Sequence, residues 1–325
     1  MAVGNLAAPS KSGGEPAIAF SRRAGNAATW GVCSIALLFV VIPVVWILEG
    51  IIAHAAKGWR WGVLAHVTTG TGGGLLNALV GTLVITVGVG ILAGVVGVGC
   101  GLYLAELCHV RGLVAILRTA FEVLSGIPSI VFGYVGYIAL VVGLHWQFSL
   151  LAALIVMSAL VVPYIAKATE LALGQVPVAY REGGEALGMA RTYVLRRVVI
   201  RSALPGILTG IIVALAISIG ETAPLLYTAG WATSLPTGAL IHSPVGYLTY
   251  AAYSFYDDPS PAFQTLSADA SLMLLVIVIA LIMSSRTIVR LTQRYAPNRA
   301  ISRGGRAERA AMRAAQAAPS EPSSF

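Results

Sequence analysis

Charged side chains are scarce in this chain. Only 10% of the 325 residues are Asp, Glu, Lys or Arg, whereas 57% are hydrophobic. A soluble domain is typically about 25% charged, so this composition excludes a protein whose whole surface faces water. The lipid bilayer is therefore the expected solvent for most of the chain.

Sequence motifs for enzymatic and metal chemistry are also missing. No glycine-rich loop ends in the Gly-Lys-Ser or Gly-Lys-Thr sequence that cradles nucleotide phosphates. The three cysteines and five histidines are scattered, so the sequence predicts no disulfide framework, metal site or bound cofactor. No cluster of polar residues in the apolar runs suggests a nucleophile and base, which disfavours a membrane-embedded enzyme. The basic residues behind the net charge of +8 gather in loops and the C-terminal tail, which favours membrane topology over nucleic-acid binding.

Six apolar runs predict an all-α integral membrane fold, because about 20 such residues cross a hydrocarbon core about 30 Å thick. The third run is short and begins beside Pro128. Residues 113–124 before it are amphipathic, with Arg118 and Glu122 spaced i, i+4 on the polar side. The predicted spans are Thr29–Ile52, Leu75–Tyr103, Ile127–Val142, Leu150–Leu171, Gly206–Thr228 and Leu272–Val289.

Lysine and arginine positions predict the orientation. With the N-terminus inside, 19 of the 21 basic residues fall in segments on the cytoplasmic side, leaving Lys57 and Arg60 outside. The positive-inside rule therefore places both termini in the cytoplasm. The predicted division is a cytoplasmic tail over 1–27, a transmembrane domain over 28–295 and a disordered cytoplasmic tail over 296–325. An extracytoplasmic segment over 231–269 has no Lys or Arg and includes Asp269.

The loop over residues 174–204, between the fourth and fifth spans, is the most informative hydrophilic segment. Pro177 suits a helix start and Gly188 a helix end, which predicts a short helix over 178–187. Two adjacent glycines each cost about 1 kcal/mol of helix propensity, which favours close contact with another surface. A second, interfacial helix is predicted from near Thr192 into the fifth span. One face of the short helix holds Tyr180, Gly183, Gly184 and Leu187.

This loop resembles the cytoplasmic signature of type I ABC-importer permeases: Glu-Ala-Ala, three residues, Gly, nine residues, then Ile-x-Leu-Pro. Glu182 matches the glutamate of this signature, and Gly183 and Gly184 stand in place of its two alanines. Gly188 lies at the required distance. The final segment, Val198–Arg201, ends in Ile-Arg where the signature has Leu-Pro. The resemblance implies a coupling helix that sits in a groove of a separate ATPase. It assigns ATPase coupling to Tyr180, Glu182, Gly183, Gly184, Leu187 and Gly188.

A second resemblance narrows the substrate. The Gly-Glu-Thr-Ala-Pro-Leu-Leu sequence at 220–226 is similar to a signature of the PstA family of phosphate-importer permeases, as are stretches 101–106, 126–131 and 177–182. The similarity covers about residues 77–290. It implies inward transport of inorganic phosphate across a prokaryotic plasma membrane. The implied partners are a PstC-like second permease subunit, two copies of a PstB-like cytoplasmic ATPase, a PstS-like extracytoplasmic phosphate-binding protein, and membrane lipid.

Four polar residues are predicted to line the translocation pathway: Glu221, Thr222, Ser218 and Ser129. A carboxylate inside an apolar span costs about 2.5 to 3.5 kcal/mol on insertion scales, so Glu221 is expected to pair with a basic residue across the pathway. The alternative is a glutamate near the outer interface bonded to backbone. The hydroxyl groups suit an oxyanion, but they also commonly join helices. Lys167 and Glu170 are interpreted as a local i, i+3 pair.

Two alternatives to phosphate import remain open. Members of the resembled family commonly have an arginine where this chain has Ile217, so the same architecture with another oxyanion or solute is retained. An ion-coupled secondary transporter would explain the spans and Glu221. It would not explain the short cytoplasmic helix with its glycine spacing.

Overall fold

The computed structural model describes residues 17–70 and 72–293 of the chain. The predicted C-terminal tail over 296–325 and most of the predicted N-terminal tail lie outside these residues. Residues through Lys57 form one compact unit, and the chain from Gly58 onward forms a second. The described residues of the first unit all belong to one long helix, α1, which contains Pro43.

The described chain is mostly helical. A 3₁₀ turn over Trp61–Leu64 leads into a small antiparallel hairpin of β1 (Thr68–Thr69) and β2 (Gly72–Gly73). Short π-helical segments extend α2 over Tyr103–Leu107 and α4 over Tyr137–Gly143, and another joins α7 to α8 over Leu195–Val199. The helices are α1 (Ala17–Gly58), α2 (Leu76–Leu102), α3 (Arg111–Gly126), α4 (Ser129–Gly136), α5 (Leu150–Gly174), α6 (Val178–Ala186), α7 (Arg191–Val194), α8 (Ile200–Gly220), α9 (Ala223–Thr228), α10 (Leu248–Ser254) and α11 (Pro261–Gln293).

Within the described residues, five stretches of helix are long and apolar enough to cross a membrane. They are Gly25–Ala56, Leu76–Leu107, Leu150–Gly174, Arg191–Gly220 and Pro261–Leu291. The third predicted span is different, because α3 and α4 meet at a bend of 94°. The number of spans is six when this bent pair counts as one broken span.

The bend between α3 and α4 follows from Pro128. The residue before a proline is driven out of the α region, and Ile127 is indeed extended (φ −72°, ψ 131°). Helix α4 then starts at Ser129. The segment before the third span therefore forms a helix of its own, α3, which buries none of its residues.

The helix bundle of the second unit is held together by close contact at small residues. A methyl group placed on Gly97 of α2 would lie 2.7 Å from Ile165 Cβ of α5, and one on Gly101 would lie 2.5 Å from the Ala166 carbonyl oxygen. Membrane helices have no hydrophobic drive to associate in lipid, so such close backbone approach supplies the dispersion energy of packing. Helices α2 and α5 therefore form a tightly packed pair.

Two predicted span boundaries were wrong. The fifth span was predicted to run through Thr228, but the helix ends at Gly220 and restarts at Ala223. Pro224 explains this break, since it has no N–H to donate to Gly220 and its ring would clash with that carbonyl. The sixth span begins at Pro261, so Asp269 lies inside a helix and not in a solvated loop.

Asp269 is fully buried, and its two carboxyl oxygens have no hydrogen-bond partner among the described residues. It lies beside Ala270 and near Leu266, both members of a hydrophobic cluster shared by α2, α10 and α11. Asp269, which the sequence placed in the extracytoplasmic segment, is therefore a buried acid on α11.

Candidate coupling loop and translocation residues

Helix α6 occupies the position predicted for the short helix of the loop. It covers Val178–Ala186 and follows Pro177, whose extended conformation (φ −53°, ψ 136°) precedes the first turn. Gly188 adopts a left-handed conformation with φ 73° and donates its N–H to Glu185 O at 2.9 Å. Glycine accepts this conformation without steric cost, so it ends the helix as the sequence predicted.

The two adjacent glycines of α6 have different surroundings. A methyl group on Gly184 would lie 2.6 Å from Val194 Cγ2, whereas one on Gly183 would have no neighbour within 4 Å. Gly184 is buried and Gly183 is exposed. The close contact expected of this face is therefore made at Gly184 within the chain itself, because this residue lets α6 pack against α7.

The other residues predicted to couple to an ATPase form an exposed surface in this chain. Leu187 is 78% exposed and Val178 is 62% exposed, while Tyr180 is 36% exposed. Glu182 is also exposed. A leucine this open at the end of a short helix is an apolar side chain that nothing in the described chain covers.

Arg181 joins α6 to two other parts of the chain. Its Nη2 lies 2.5 Å from Glu106 Oε1 in the π-helical extension of α2. Its Nη1 donates to Val176 O at 2.9 Å, and Nη2 also donates to Leu173 O at 3.2 Å. Sequence reasoning assigned no role to Arg181 or Glu106. Their presence in two of the four family-like stretches, 177–182 and 101–106, was the signal available.

A cavity of about 790 Å³ lies beside this junction. Its walls come mainly from α3 and α5, with Glu106 and Arg181 at one side. Two ion pairs cross it: Arg118 Nη2 lies 2.5 Å from Glu170 Oε1, and Lys167 Nζ lies 3.8 Å from Glu122 Oε1.

These pairs correct the sequence interpretation. Arg118 and Glu122 were placed on the polar side of one amphipathic segment, and Lys167 and Glu170 of α5 were interpreted as a local pair. In the structure each ion pair instead joins one residue of α3 to one residue of α5, because α3 lies along α5 and the opposite charges face each other. The charged residues thus fasten two helices to each other rather than support each helix separately.

Glu221 lies at the break between α8 and α9. Its backbone is extended (φ −76°, ψ 125°), and its N–H donates to Ser218 O at 3.2 Å. Thr249 of α10 donates its hydroxyl to Glu221 O at 3.3 Å. The carboxylate is half-buried and forms no ion pair with any described residue of the chain.

Two of the predicted pathway segments are brought together. Helix α4, which begins at Ser129, packs on α9, which begins directly after Thr222. The contact is closest at Gly133, where a methyl group would lie 2.8 Å from Pro224 Cα. Ser129 and Thr222 are half-buried.

Ser218 is separated from this contact and is 3% exposed. It lines a small pocket with four other hydroxyl-bearing residues. Burial raises the pKa of one of them, Tyr247, so its phenol stays neutral. The other three are Thr82, Thr86 and Thr249.

The chain matches a protein-family model described as binding-protein-dependent transport system inner membrane component, over residues 97–295. It is 50% identical over 291 residues to phosphate transport system permease protein PstA 2 of Mycobacterium bovis, covering 90% of this chain and 96% of that protein. A PstA permease of Yersinia pestis is 30% identical over 259 residues, with 78% and 85% coverage.

Solved structures share the fold. An inward-facing MetNI methionine ABC transporter chain superposes with a TM-score of 0.55 at 21% identity, covering 67% of this chain and 95% of the other. A bacterial ABC transporter chain involved in alginate import gives a TM-score of 0.54 at 14% identity, covering 81% and 96%. With its sequence and its helical fold in agreement, the chain belongs to the family of binding-protein-dependent transport system inner membrane components.

Proposed function

We propose that this protein is the membrane-spanning permease subunit of an ATP-driven importer of inorganic phosphate. The observation that carries the proposal is the 50% identity with a mycobacterial phosphate permease, which extends over nearly the full length of both chains. The Gly-Glu-Thr-Ala-Pro-Leu-Leu sequence, whose resemblance to a phosphate-permease signature implied phosphate as substrate, contains the helix break at Glu221.

The proposed setting is the plasma membrane of a prokaryote, with both termini in the cytoplasm. The distribution of 19 of the 21 basic residues supports this orientation. It puts α6 and its neighbouring loop on the cytoplasmic side, where an ATPase has access. The break at Glu221 and helix α10 then lie toward the outside.

The proposed energy source is a separate ATPase, since the sequence has no phosphate-cradling Gly-Lys-Ser or Gly-Lys-Thr loop. The subunit itself is proposed to hydrolyse no ATP and to hold no cofactor. We propose that two copies of a PstB-like ATPase act on this subunit and a PstC-like second permease. A PstS-like extracytoplasmic protein would deliver phosphate.

Coupling would begin at the exposed surface of α6. Tyr180, Glu182, Gly183 and Leu187 are available to a groove of the ATPase, and Gly188 fixes the end of the helix. Gly184 would contribute indirectly, because it holds α6 on α7. ATP-driven closure of the ATPases would move α6, and the movement would open the spans to the outside.

The pathway would run past Glu221, Thr222 and Ser129, with Ser218 buried behind them. An anion is repelled by a lone carboxylate, so Glu221 is proposed to pair with a basic group of the second permease. This pairing accounts for a half-buried acid that has no ion-pair partner among the described residues of its own chain.

The proposal is tested by radiolabelled phosphate uptake into proteoliposomes that contain the purified permease pair and ATPase, with binding protein added outside. We expect uptake that needs enclosed ATP, is reduced by arsenate and is little affected by sulfate. Uptake without ATP would indicate an ion-coupled secondary transporter.

The same assay with other substrates tests the remaining alternative, a permease of the same architecture that transports another oxyanion or solute. ATP-dependent uptake of radiolabelled sulfate, in the absence of phosphate uptake, would assign the same architecture to another oxyanion. This alternative is retained because the chain has Ile217 at a position where family members commonly have arginine. The Ile217 side chain is 41% exposed.

A further inference from the structure

One side chain of α6, Arg181, hydrogen-bonds to three other parts of the coupling region. It reaches the Glu106 carboxylate at 2.5 Å, Val176 O at 2.9 Å and Leu173 O at 3.2 Å. Leu173 belongs to the last turn of α5, and its carbonyl oxygen also accepts the backbone N–H of Val176 at 3.2 Å. A guanidinium group meets all three acceptors because its donors are fixed in a planar fork.

The junction is mostly shielded from solvent. The Arg181 side chain is 26% exposed and the Glu106 side chain is 12% exposed. Removing one partner of a shielded pair leaves the other charge unpaired, so such a pair is far more sensitive to substitution than a surface salt bridge. The other two ion pairs of the region are more open, with 54% of Arg118 and 64% of Lys167 exposed.

The contact between Arg181 and Glu106 connects the short helix α6 to the span formed by α2, which does not adjoin α6 in the sequence. Helix α6 has nine residues and cannot be stable alone, so its position depends on its contacts. The chain links α6 to α5 on one side and to α7 on the other, but not to α2. Glu106 lies in the π-helical extension of α2, and π-helical segments recur at functional sites.

Helices α2 and α5 would respond to α6 together. They are packed through Gly97 and Gly101, where backbone and side chains of α5 leave no room for a methyl group. Arg181 contacts the π-helical extension of α2 through the Glu106 carboxylate and the last turn of α5 through the Leu173 carbonyl, and it also donates to Val176 O in the segment that follows α5. A displacement of α6 would therefore act on the ends of α2 and α5 through the same side chain, Arg181.

We propose that Arg181 is a positioning residue that transmits the movement of α6 to the joined ends of α2 and α5. This inference rests on the proposed function, because it requires that an ATPase moves α6. Arg191 of α7 adds a weaker second hold, with Nη2 at 3.5 Å from Glu106 O. Loss of the Arg181–Glu106 pair would leave only this weaker hold, so the movement of α6 would reach α2 less efficiently.

The test is a double-mutant cycle of Arg181→Gln, Glu106→Gln and the double variant in the reconstituted complex. The measured quantity is phosphate taken up per ATP hydrolysed, alongside ATPase copurification and the thermal midpoint. We expect each single variant to lower the ratio by about two- to thirtyfold, the range for mutations that weaken coupling between sites. The double variant should lose no more than the worse single variant.

Arg197→Gln is the matched control, because Arg197 is an exposed arginine of the same loop and should keep the wild-type ratio. An unchanged ratio in Arg181→Gln, or losses that multiply in the double variant, would overturn the inference. If Arg181→Gln yields no monodisperse complex, Arg181→Lys replaces it, since lysine keeps the charge without the fork and should also lower the ratio. Failure of the wild-type complex to take up phosphate would instead reject the proposed function.

Discussion

Glu221 has two features that are hard to reconcile in a lone subunit. It follows the last residue of α8, where the chain leaves the helix, and its carboxylate is half-buried without an ion-pair partner among the described residues. Its backbone is fixed by Ser218 and Thr249. The backbone bonds fit the interpretation of a glutamate tied to its surroundings, but they leave the carboxylate itself available to a partner.

Replacement of this residue by glutamine separates the two interpretations. If Glu221 pairs with a basic group across the pathway, Glu221→Gln should slow phosphate uptake by roughly tenfold or more, because the partner's charge loses its counterion. The measurement is the initial uptake rate of the reconstituted complex. If the carboxylate has only an interfacial role, the rate should stay at the wild-type value.

Glu122→Gln supplies the control with the same chemical change. Glu122 is 65% exposed and lies 3.8 Å from Lys167, a geometry typical of surface pairs worth about 0–1 kcal/mol. Its uptake rate should stay close to wild type. A similar loss in both variants would show that the effect at Glu221 is not specific.

The sequence predicted the ends of helix α6 closely, but it did not predict how the helix packs on its neighbour α7. Proline before it and glycine after it set its ends, and these signals act within a few residues, so they can be read from the sequence. The burial of Gly184 against Val194 depends on how α6 packs on α7, which no local pattern specifies. The exchange of partners among the charged residues of α3 and α5 was missed for the same reason.

The break of the fifth span, in contrast, had a local signal in the sequence that was overlooked. Pro224 carries a local signal, and its effect on the carbonyl four residues earlier was available from the sequence. The apolar run concealed the break, because hydropathy continues through Thr228 while the backbone geometry does not. Length and composition thus located the spans, whereas backbone chemistry decided where two of them are interrupted.

The two glycines of α6 give a matched pair of substitutions. Gly183→Ala should keep or raise the thermal midpoint, because it adds about 1 kcal/mol of helix propensity and meets no neighbour. Gly184→Ala should lower it, since the new methyl group would lie 2.6 Å from Val194 and overpacking typically costs about 1–3 kcal/mol. Thermal unfolding of the purified subunit in detergent measures both. Equal midpoints would contradict the assignment of Gly184 to internal packing.

At the scale of the whole molecule, the exposed surfaces match a subunit that is completed by others. Leu187 on α6 and the carboxylate of Glu221 at the helix break are both left without partners among the described residues of the chain. The proposed assembly covers the first with an ATPase and neutralises the second with a companion permease. This assignment requires that the two features face opposite sides of the membrane.

Cysteine labelling in whole cells tests that orientation. In a background with Cys33, Cys100 and Cys108 replaced, Leu187→Cys and Leu240→Cys each introduce one thiol at a position that is 78% or 52% exposed. In cells that produce the permease without the ATPase, so that Leu187 is uncovered, we expect a membrane-impermeant maleimide to label Leu240→Cys in intact cells and Leu187→Cys only after permeabilisation. The positive-inside distribution is the physical reason, because basic segments are retained in the cytoplasm. The reverse pattern would place α6 outside, beyond the reach of any cytoplasmic ATPase, and would remove the basis for coupling through this helix.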